Sequence, residues 1–220
     1  MPESHPAEDA TAWQSSVGAK TIRSGTKHTK KFLTTTLDKN SAWPKPGFSK
    51  KKLYKGEVAE MACLRYFESL PDCKIVYHHG KPHKIDFDIT EDASTMPFRY
   101  LVDVKGTEER REYYDYGFND YQYQNYRRLQ EEYGIPVRIY FCDWHTGTCV
   151  GNDLDNLDQH HVERNKKGKL ATYPMRLPKC KMPTGETRDM INFPTIHLRK
   201  VFDLLESEIT ALKQARDDDH

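Results

Sequence analysis

The sequence predicts an α/β fold, and two observations support this. The segments KIDFDI and YLVDVKG alternate apolar and polar residues, as half-buried strands do. They lie between two segments in which apolar residues recur at helical spacing. With 220 residues, of which only 36% are hydrophobic, the chain has enough apolar material for one compact core with extensions, but not for a large second core.

The first predicted helix covers GEVAEMACLRYFESL. Its apolar residues at helical spacing are Val58, Met61, Ala62, Leu64 and Phe67. Glu57 and Glu60 belong to the same amphipathic helix, and Glu60 adjoins the apolar stripe. Two interpretations follow for Glu60: it faces the acids of the following strands, or it is an exposed glutamate on the helix surface.

The two strand segments each carry an acid near their ends, Asp86 in the first and Asp103 in the second. Residues i and i+2 of a strand project from the same face, so Asp103 and Lys105 point together while Val104 points to the opposite layer. The spacing from Asp86 to Asp103 suffices for a strand, a turn and a return strand. We therefore expect both carboxylates within reach of one hard cation.

Two carboxylates packed together repel each other, and each takes up a proton unless a divalent ion lies between them. Oxygen-only clusters suit Mg²⁺ or Mn²⁺. Beside such an ion, Lys105 is suited to hold an attacking water or to neutralise charge that grows on a phosphate. The alternative is a solvated ion pair, because an acid-x-lysine tripeptide is common: Asp72-Cys73-Lys74 is a second copy, predicted at the end of a helical segment.

The second predicted helix covers NDYQYQNYRRLQEEYG. Four residues share one of its faces: Gln122, Tyr126, Leu129 and Tyr133. Gln122 and Tyr126 therefore point the same way. After Gly134 and Pro136, the β-branched and aromatic run VRIYFCDW predicts a further strand.

This order of motifs resembles the PD-(D/E)XK nuclease superfamily. The resemblance covers roughly residues 54–144 and rests on GxxxE (Gly56 to Glu60), the acid Asp86, DVK (Asp103 to Lys105) and QxxxY (Gln122 to Tyr126). The QxxxY element is similar to that of the RecB-type and lambda-exonuclease-type branches. Each motif alone is weak, so the order and spacing of all four carry the resemblance.

The resemblance implies a restriction-endonuclease-like core, in which a central mixed four-stranded sheet is flanked by helices in the order αβββαβ. It also implies roles for six residues: Asp86 and Asp103 as ligands of Mg²⁺ (or Mn²⁺), Glu60 as an added metal or water ligand, Lys105 as the catalytic lysine, and Gln122 and Tyr126 as residues that organise the site.

Two departures from the family pattern affect the first acid and the second. Ile85 stands before Asp86 where the family usually has proline, and the second acid is Asp103 where glutamate is commoner. Asp88 therefore remains a rival of Asp86, because the two share a strand face. One of them would be the ligand and the other would support it.

We expect three regions: a flexible basic N-terminal arm at 1–50, a nuclease core at 51–150, and a C-terminal extension at 151–220 of loops and a helix from about Thr195 to Arg216 that packs on the core. Between Lys20 and Lys55, eleven bases face the single acid Asp38. Lys50, Lys51, Lys52 and Lys55 are therefore expected to contact the phosphates of a nucleic acid. The alternative is an arm that only solubilises the protein.

Tyr113 and Tyr114 belong to a tyrosine cluster between DVKG and the QxxxY helix. They are expected either to stack on bases or to pack a long loop against the core. The five cysteines are odd in number and contain no CxxC pair, so we expect neither a disulfide framework nor a zinc or iron–sulfur site. Buried cysteines in such a chain act as small core hydrophobes.

The sequence contains no apolar run of membrane length and no recognisable targeting segment, so a cytoplasmic location is expected. The predicted function is a metal-dependent DNA nuclease, a hydrolase of DNA repair, recombination or phage DNA processing. Whether it is an endonuclease or an exonuclease stays open. One alternative is a non-catalytic nucleic-acid-binding protein with a nuclease fold. Another is a Holliday-junction resolvase, which would need only a homodimer or homo-oligomer of this core.

Overall fold

The computed structural model describes residues 55–78, 85–92, 97–110, 112–181 and 186–217. In chain order the helices and strands are α1 (Lys55–Ser69), β1 (Cys73–Tyr77), β2 (Phe87–Glu91), β3 (Phe98–Gly106), β4 (Asp115–Asn119), α2 (Asp120–Tyr133), β5 (Val137–Asp143), β6 (Thr148–Asp153), α3 (Leu154–Leu157), β7 (His161–Arg164), β8 (Leu170–Tyr173), β9 (Met175–Lys181), β10 (Thr187–Pro194), a 3₁₀ turn (Thr195–His197), β11 (Arg199–Asp203) and α4 (Glu206–Asp217). Residues 1–54, which include the predicted basic arm and Lys50, Lys51 and Lys52, lie outside the described residues.

The main sheet has the strand order β1-β2-β3-β5-β6-β11. Strands β3 and β5 are parallel, and all other neighbours in this sheet are antiparallel. A mixed sheet flanked by helices is thus confirmed. The expected number of four strands is wrong, because β6 and β11 extend the sheet to six. Strand β6 crosses position 150 and β11 comes from residues 199–203, so the region after 150 contributes to the same sheet.

Two apolar layers cover the two faces of the main sheet. On one face, α1 and α4 pack against side chains that include Phe87, Val102, Tyr140 and Phe202. On the other face, α2, α3 and the sheet β4-β10-β9 pack against side chains that include Leu101, Ile139 and Phe141. Alternating residues of β3 therefore enter different layers, as the period of two requires.

The C-terminal region contains more strand than the expected loops and single helix. Five strands, β7 to β11, lie between residues 161 and 203, and the final helix begins at Glu206 instead of near Thr195. Phe202, which is buried in β11 opposite Cys149, accounts for part of the error. A short strand followed by a helix places apolar residues at spacings that a single long helix also produces.

The ends of α2 agree with the sequence signals. The Asn119 side chain accepts a hydrogen bond from the Tyr121 N–H at the N-terminus. Gly134 has φ 63° and donates its N–H to the Gln130 carbonyl at the C-terminus, a conformation that favours glycine. No helix among the described residues has the length and apolar character to cross a membrane.

Candidate active site

Asp86 lies immediately before β2 and is held by backbone hydrogen bonds to both neighbouring strands. Its N–H donates to the Val102 carbonyl at 3.1 Å, and its carbonyl accepts from the His78 N–H at 2.9 Å. Its side-chain Oδ2 accepts from the Val104 N–H at 2.7 Å. The Asp86 carboxylate is therefore directed at β3, beside the backbone that joins Asp103 to Lys105.

Asp103 is 4% exposed and is one member of a three-residue network on the α2 face of β3. Tyr126 Oη donates to Asp103 Oδ1 at 2.5 Å, and Lys105 Nζ donates to Tyr126 Oη at 3.2 Å. Lys105 Nζ also lies 2.7 Å from Asp103 Oδ2 as an ion pair, although this oxygen accepts no hydrogen bond of regular geometry from the described residues. The predicted shared direction of Asp103 and Lys105 is confirmed.

Burial of Asp86, with added repulsion from the charges of Asp103 and Glu60, raises its pKa to about 8. The Val104 N–H and the Lys105 ammonium act in the opposite direction but do not offset the burial. Burial and the Asp103 charge likewise raise the pKa of Tyr126, so its hydroxyl stays a donor to Asp103. Near neutral pH the raised pKa of Asp86 favours its protonated form, whereas a cation bound beside it would favour the carboxylate.

Glu60 approaches the acids from α1. Its Oε2 accepts a hydrogen bond from Tyr77 Oη at 2.8 Å, and its charge contributes to the raised pKa of Asp86. Burial and the charge of Glu60 raise the pKa of Tyr77, which keeps this hydroxyl protonated. Tyr77 ends β1 and was not singled out from the sequence, because a tyrosine in an apolar strand gives no signal beyond packing.

The donor atoms of Asp86 and Asp103 fit a hard divalent cation, because they are carboxylate oxygens in a partly buried site with a raised carboxyl pKa. Glu60 stands at the edge of this pair. Among the described residues, no set of acids places three ligand oxygens all within 4.8 Å of one another. The structure thus brings the charges of Asp103 and Glu60 close to Asp86, and the binding of a metal by these acids stays a prediction.

The structure separates Asp86 from its rival Asp88. Both Asp88 oxygens bind the Arg99 guanidinium, Oδ1 at 2.9 Å from Nε and Oδ2 at 2.5 Å from Nη2. Asp88 is therefore neutralised by a partner of its own. The charges that act on Asp86 are those of Asp103 and Glu60, so Asp86 is the acid that belongs to the site.

Gln122 lies on α2 one turn before Tyr126 and is half-buried. Within the described part of the chain, no hydrogen bond joins its amide to the acids or to Lys105. The structure thus places Tyr126, but not Gln122, in direct contact with the network. A role for Gln122 toward a bound metal or substrate stays a prediction.

Two further residues shape the surroundings of Lys105. Its Nζ lies 5.7 Å from the ring centres of both Phe118 and Tyr126, so two aromatic rings flank the ammonium on the α2 face.

Gly106 lies close to the backbone of α1. A Cβ atom at this position would lie 2.5 Å from the Lys55 carbonyl oxygen. The glycine after DVK therefore allows the first turn of α1, and with it Glu60, to approach the end of β3.

The described residues expected to bind nucleic acid lie outside the acid network. Lys55 opens α1, with Nζ 5.5 Å from the centre of the Trp144 ring. The Arg110 guanidinium stacks at 4.6 Å on the ring of the half-buried Tyr113. Tyr114 is 41% exposed, and Lys166 Nζ lies 4.5 Å from its ring centre. Tyr114 thus offers a ring face beside a cation, whereas Tyr113 mainly packs.

Comparison of the chain with family models, with curated proteins and with solved structures finds no match. The resemblance to a nuclease family therefore stays a prediction from the order and spacing of the sequence motifs.

Proposed function

We propose that this protein is a Mg²⁺-dependent DNA nuclease with a restriction-endonuclease-like core. The order α1-β1-β2-β3-α2-β5 supports the proposal, with β4 as an insertion between β3 and α2. The proposed core would comprise the first four strands of the main sheet, β1-β2-β3-β5, in which β3 and β5 are parallel and the other neighbours antiparallel. The proposed biological setting is DNA repair, recombination or phage DNA processing.

The observation that carries the proposal is the meeting of Asp86, Asp103 and Lys105 at one place. Two acids from adjacent chain segments and a lysine two residues after the second acid converge, and Tyr126 links the lysine to that acid. A structural ion pair would need only one acid. The additional acid, Asp86, has a raised pKa, so its ionised form lowers the stability of the fold unless a cation is bound. Acids with such a raised pKa are typical of functional sites.

Lys105 is proposed as the residue that acts on the reacting phosphate. Its side chain is 18% exposed, and its ammonium is oriented by Asp103 and by Tyr126 Oη. From this position it would hold the attacking water or stabilise negative charge on a phosphate oxygen in the transition state. Because Tyr126 donates to Asp103, the tyrosine acts by positioning the carboxylate and the ammonium relative to each other.

Asp86 and Asp103 would hold Mg²⁺ or Mn²⁺, and Glu60 would bind a water beside the ion. When bound, the metal would lower the pKa of a water and neutralise charge on the scissile phosphate. The Val104 N–H orients Asp86, and Tyr77 Oη orients Glu60. The protein thus fixes each acid with a separate donor before any substrate arrives, which reduces the reorganisation needed during reaction.

The test is cleavage of labelled linear, circular, single-stranded and branched DNA, with RNA as a comparison, in the presence of Mg²⁺, Mn²⁺ or EDTA. We expect cleavage of at least one DNA substrate with either metal and none with EDTA. A Lys105→Ala variant purified in parallel controls for a contaminating nuclease.

Equal cleavage by the variant, or cleavage that persists in EDTA, would contradict the proposal. Binding of DNA with no cleavage of any substrate would favour the non-catalytic DNA-binding alternative. The pattern of cut substrates would separate an endonuclease, an exonuclease and a junction resolvase.

A further inference from the structure

Three of the five cysteines meet in the apolar layer between α1 and the main sheet. Cys63 comes from α1, Cys142 from β5 and Cys149 from β6, and each is fully buried. All three are free thiols, their sulfur atoms all lie within 4.8 Å of one another, and Cys63 Sγ is 3.9 Å from Cys142 Sγ. The expectation that cysteines of this chain are small core hydrophobes is confirmed for these three by their burial, and their closeness to one another was not predicted.

The sulfur–sulfur separations are compatible with a three-coordinate metal site. For a metal–sulfur bond of about 2.3 Å, three sulfurs in a plane around one ion stand about 4.0 Å apart. Cys63 and Cys142 already have this separation, and the other two pairs exceed it by at most ~0.8 Å. Cys142 and Cys149 are direct partners in the β5–β6 pairing, so the sheet fixes two of the three donors.

We propose that Cys63, Cys142 and Cys149 form a binding site for a soft monovalent metal ion, Cu⁺. Thiolates select soft ions such as Cu⁺ and Zn²⁺, but a structural zinc site takes four ligands. The described residues offer no fourth histidine, cysteine or carboxylate within this cluster. The nearest carbonyl with a contact to it, Ala59 O, belongs to α1 and lies 3.8 Å from Cys142 Sγ.

The ion would join α1 to β5 and β6. Cys63 lies one turn after Glu60 on α1, so the site would fix the helix that carries this acid. The inference does not depend on the proposed nuclease activity, because the cysteines lie on the opposite face of the sheet from Asp103 and Lys105.

The test is a titration of the reduced full-length protein with Cu⁺ under anaerobic conditions, buffered by a competing Cu⁺ chelator. The metal is added both to folded protein and during refolding, because a buried site needs an entry path. We expect one Cu⁺ per chain, an ultraviolet thiolate-to-copper absorption, a higher unfolding temperature, and an X-ray absorption spectrum with three sulfur neighbours. Zn²⁺ and Cd²⁺ serve as comparison ions.

Matched variants separate this cluster from the other two cysteines. Cys142→Ser should weaken Cu⁺ binding by roughly a hundredfold or more, since it removes one of three ligands, whereas a Cys73→Ser/Cys180→Ser double variant should bind like the parent. Cys149→Ala gives a second test if Cys142→Ser does not fold.

Failure of the folded or refolded protein to bind one Cu⁺ with sulfur coordination would overturn the inference. Binding that is lost in the double variant, or that survives both cluster variants, would overturn it equally. Tight four-coordinate Zn²⁺ binding with no Cu⁺ preference would show that the ion class is wrong.

Discussion

The two faces of the main sheet carry two clusters of potential metal ligands that differ in almost every physical respect. On the α2 face, Asp86 and Asp103 present oxygen donors close to Lys105. On the α1 face, three cysteines present sulfur donors deep in an apolar layer. Protonated thiols pack like small hydrophobic groups, whereas adjacent carboxylates repel unless a proton or cation compensates them.

The difference shows which of the two clusters lowers the stability of the fold when no cation is bound. An empty thiol cluster is ordinary core, so its geometry alone makes the case for a metal. A buried carboxylate pair without a bound cation costs stability, because burial and the charge of Asp103 raise the pKa of Asp86 to about 8. Raised carboxyl pKa values of this kind cluster at functional sites, and this is the physical basis of the metal-binding role proposed for the acids.

The largest effect is expected from the lysine beside the acids. Lys105→Ala should lower the single-turnover cleavage rate by on the order of a hundredfold or more, because a charge-stabilising donor is removed from the transition state. The chain supplies a matched control. Lys74 belongs to the other acid-x-lysine tripeptide, and its Nζ makes an exposed ion pair with Asp92 at 2.9 Å; Lys74→Ala should cleave like the parent.

Binding measurements with DNA and Mn²⁺ complete this experiment. Both lysine variants should bind DNA and Mn²⁺ as tightly as the parent, so that the effect of Lys105→Ala on the cleavage rate is separated from any effect on binding. If Lys105→Ala loses DNA affinity but keeps its rate at saturating DNA, the lysine is a phosphate anchor only.

The second prediction concerns the stability of the metal-free protein as a function of pH. The pKa of Asp86 is about 8 in the folded state and about 4 in the unfolded chain, so the native state holds a proton that the unfolded state releases. The free energy of unfolding should therefore fall as pH rises from about 4 to about 8. Asp86→Asn should remove this fall and be more stable than the parent at pH 8, by on the order of a few kcal/mol.

Urea unfolding in EDTA at several pH values measures this difference. Parallel stability curves for parent and variant would mean that Asp86 is not strained by its neighbours. In the parent, saturating Mg²⁺ should restore stability at pH 8, because the cation replaces the proton; in Asp86→Asn it should not.

A smaller effect is expected in the thiol cluster. Cys149→Ala in the metal-free protein should lower the free energy of unfolding by about 1 kcal/mol, because a fully buried sulfur is removed and the surrounding core relaxes only partly. Cys180→Ala is the control, since that cysteine is only half-buried in β9. A stabilising effect of Cys149→Ala would mean that the cluster, like the acids, is strained when empty.

The contrast between the clusters also explains what could be predicted from the sequence. Asp103 and Lys105 occupy consecutive positions of one strand face, so local periodicity predicted their shared direction. Tyr126 entered the same hypothesis through the resemblance of its QxxxY motif to a nuclease family. The three cysteines are at positions 63, 142 and 149, and this spacing does not predict that α1 packs against β5 and β6. Their meeting depends on tertiary packing, which no pattern of one strand or helix encodes.

Two other errors have the same physical origin. Strands β6 and β11 pair across about fifty residues, so the segment with Phe202 was assigned to a helix on its apolar spacing. The Asp72-Cys73-Lys74 tripeptide, expected at a helix end, leads into β1, because α1 ends at Ser69 and Asp72 adopts φ 55° in the turn. Local sequence patterns predicted whether a long segment is a helix or a strand. Which strands pair with each other depends on contacts between distant parts of the chain.

The most direct measurement is single-turnover DNA cleavage across a Mg²⁺ series by the parent, Asp86→Asn, Asp103→Asn and the control Asp88→Asn. Asp88 has the same side chain in the same strand region but is paired with Arg99. We expect Asp86→Asn and Asp103→Asn, each shown to be folded, to lose cleavage at every Mg²⁺ concentration, and Asp88→Asn to retain it. Cleavage by either site variant at the rate of Asp88→Asn would contradict the assignment of these two acids as the metal-binding centre of a nuclease.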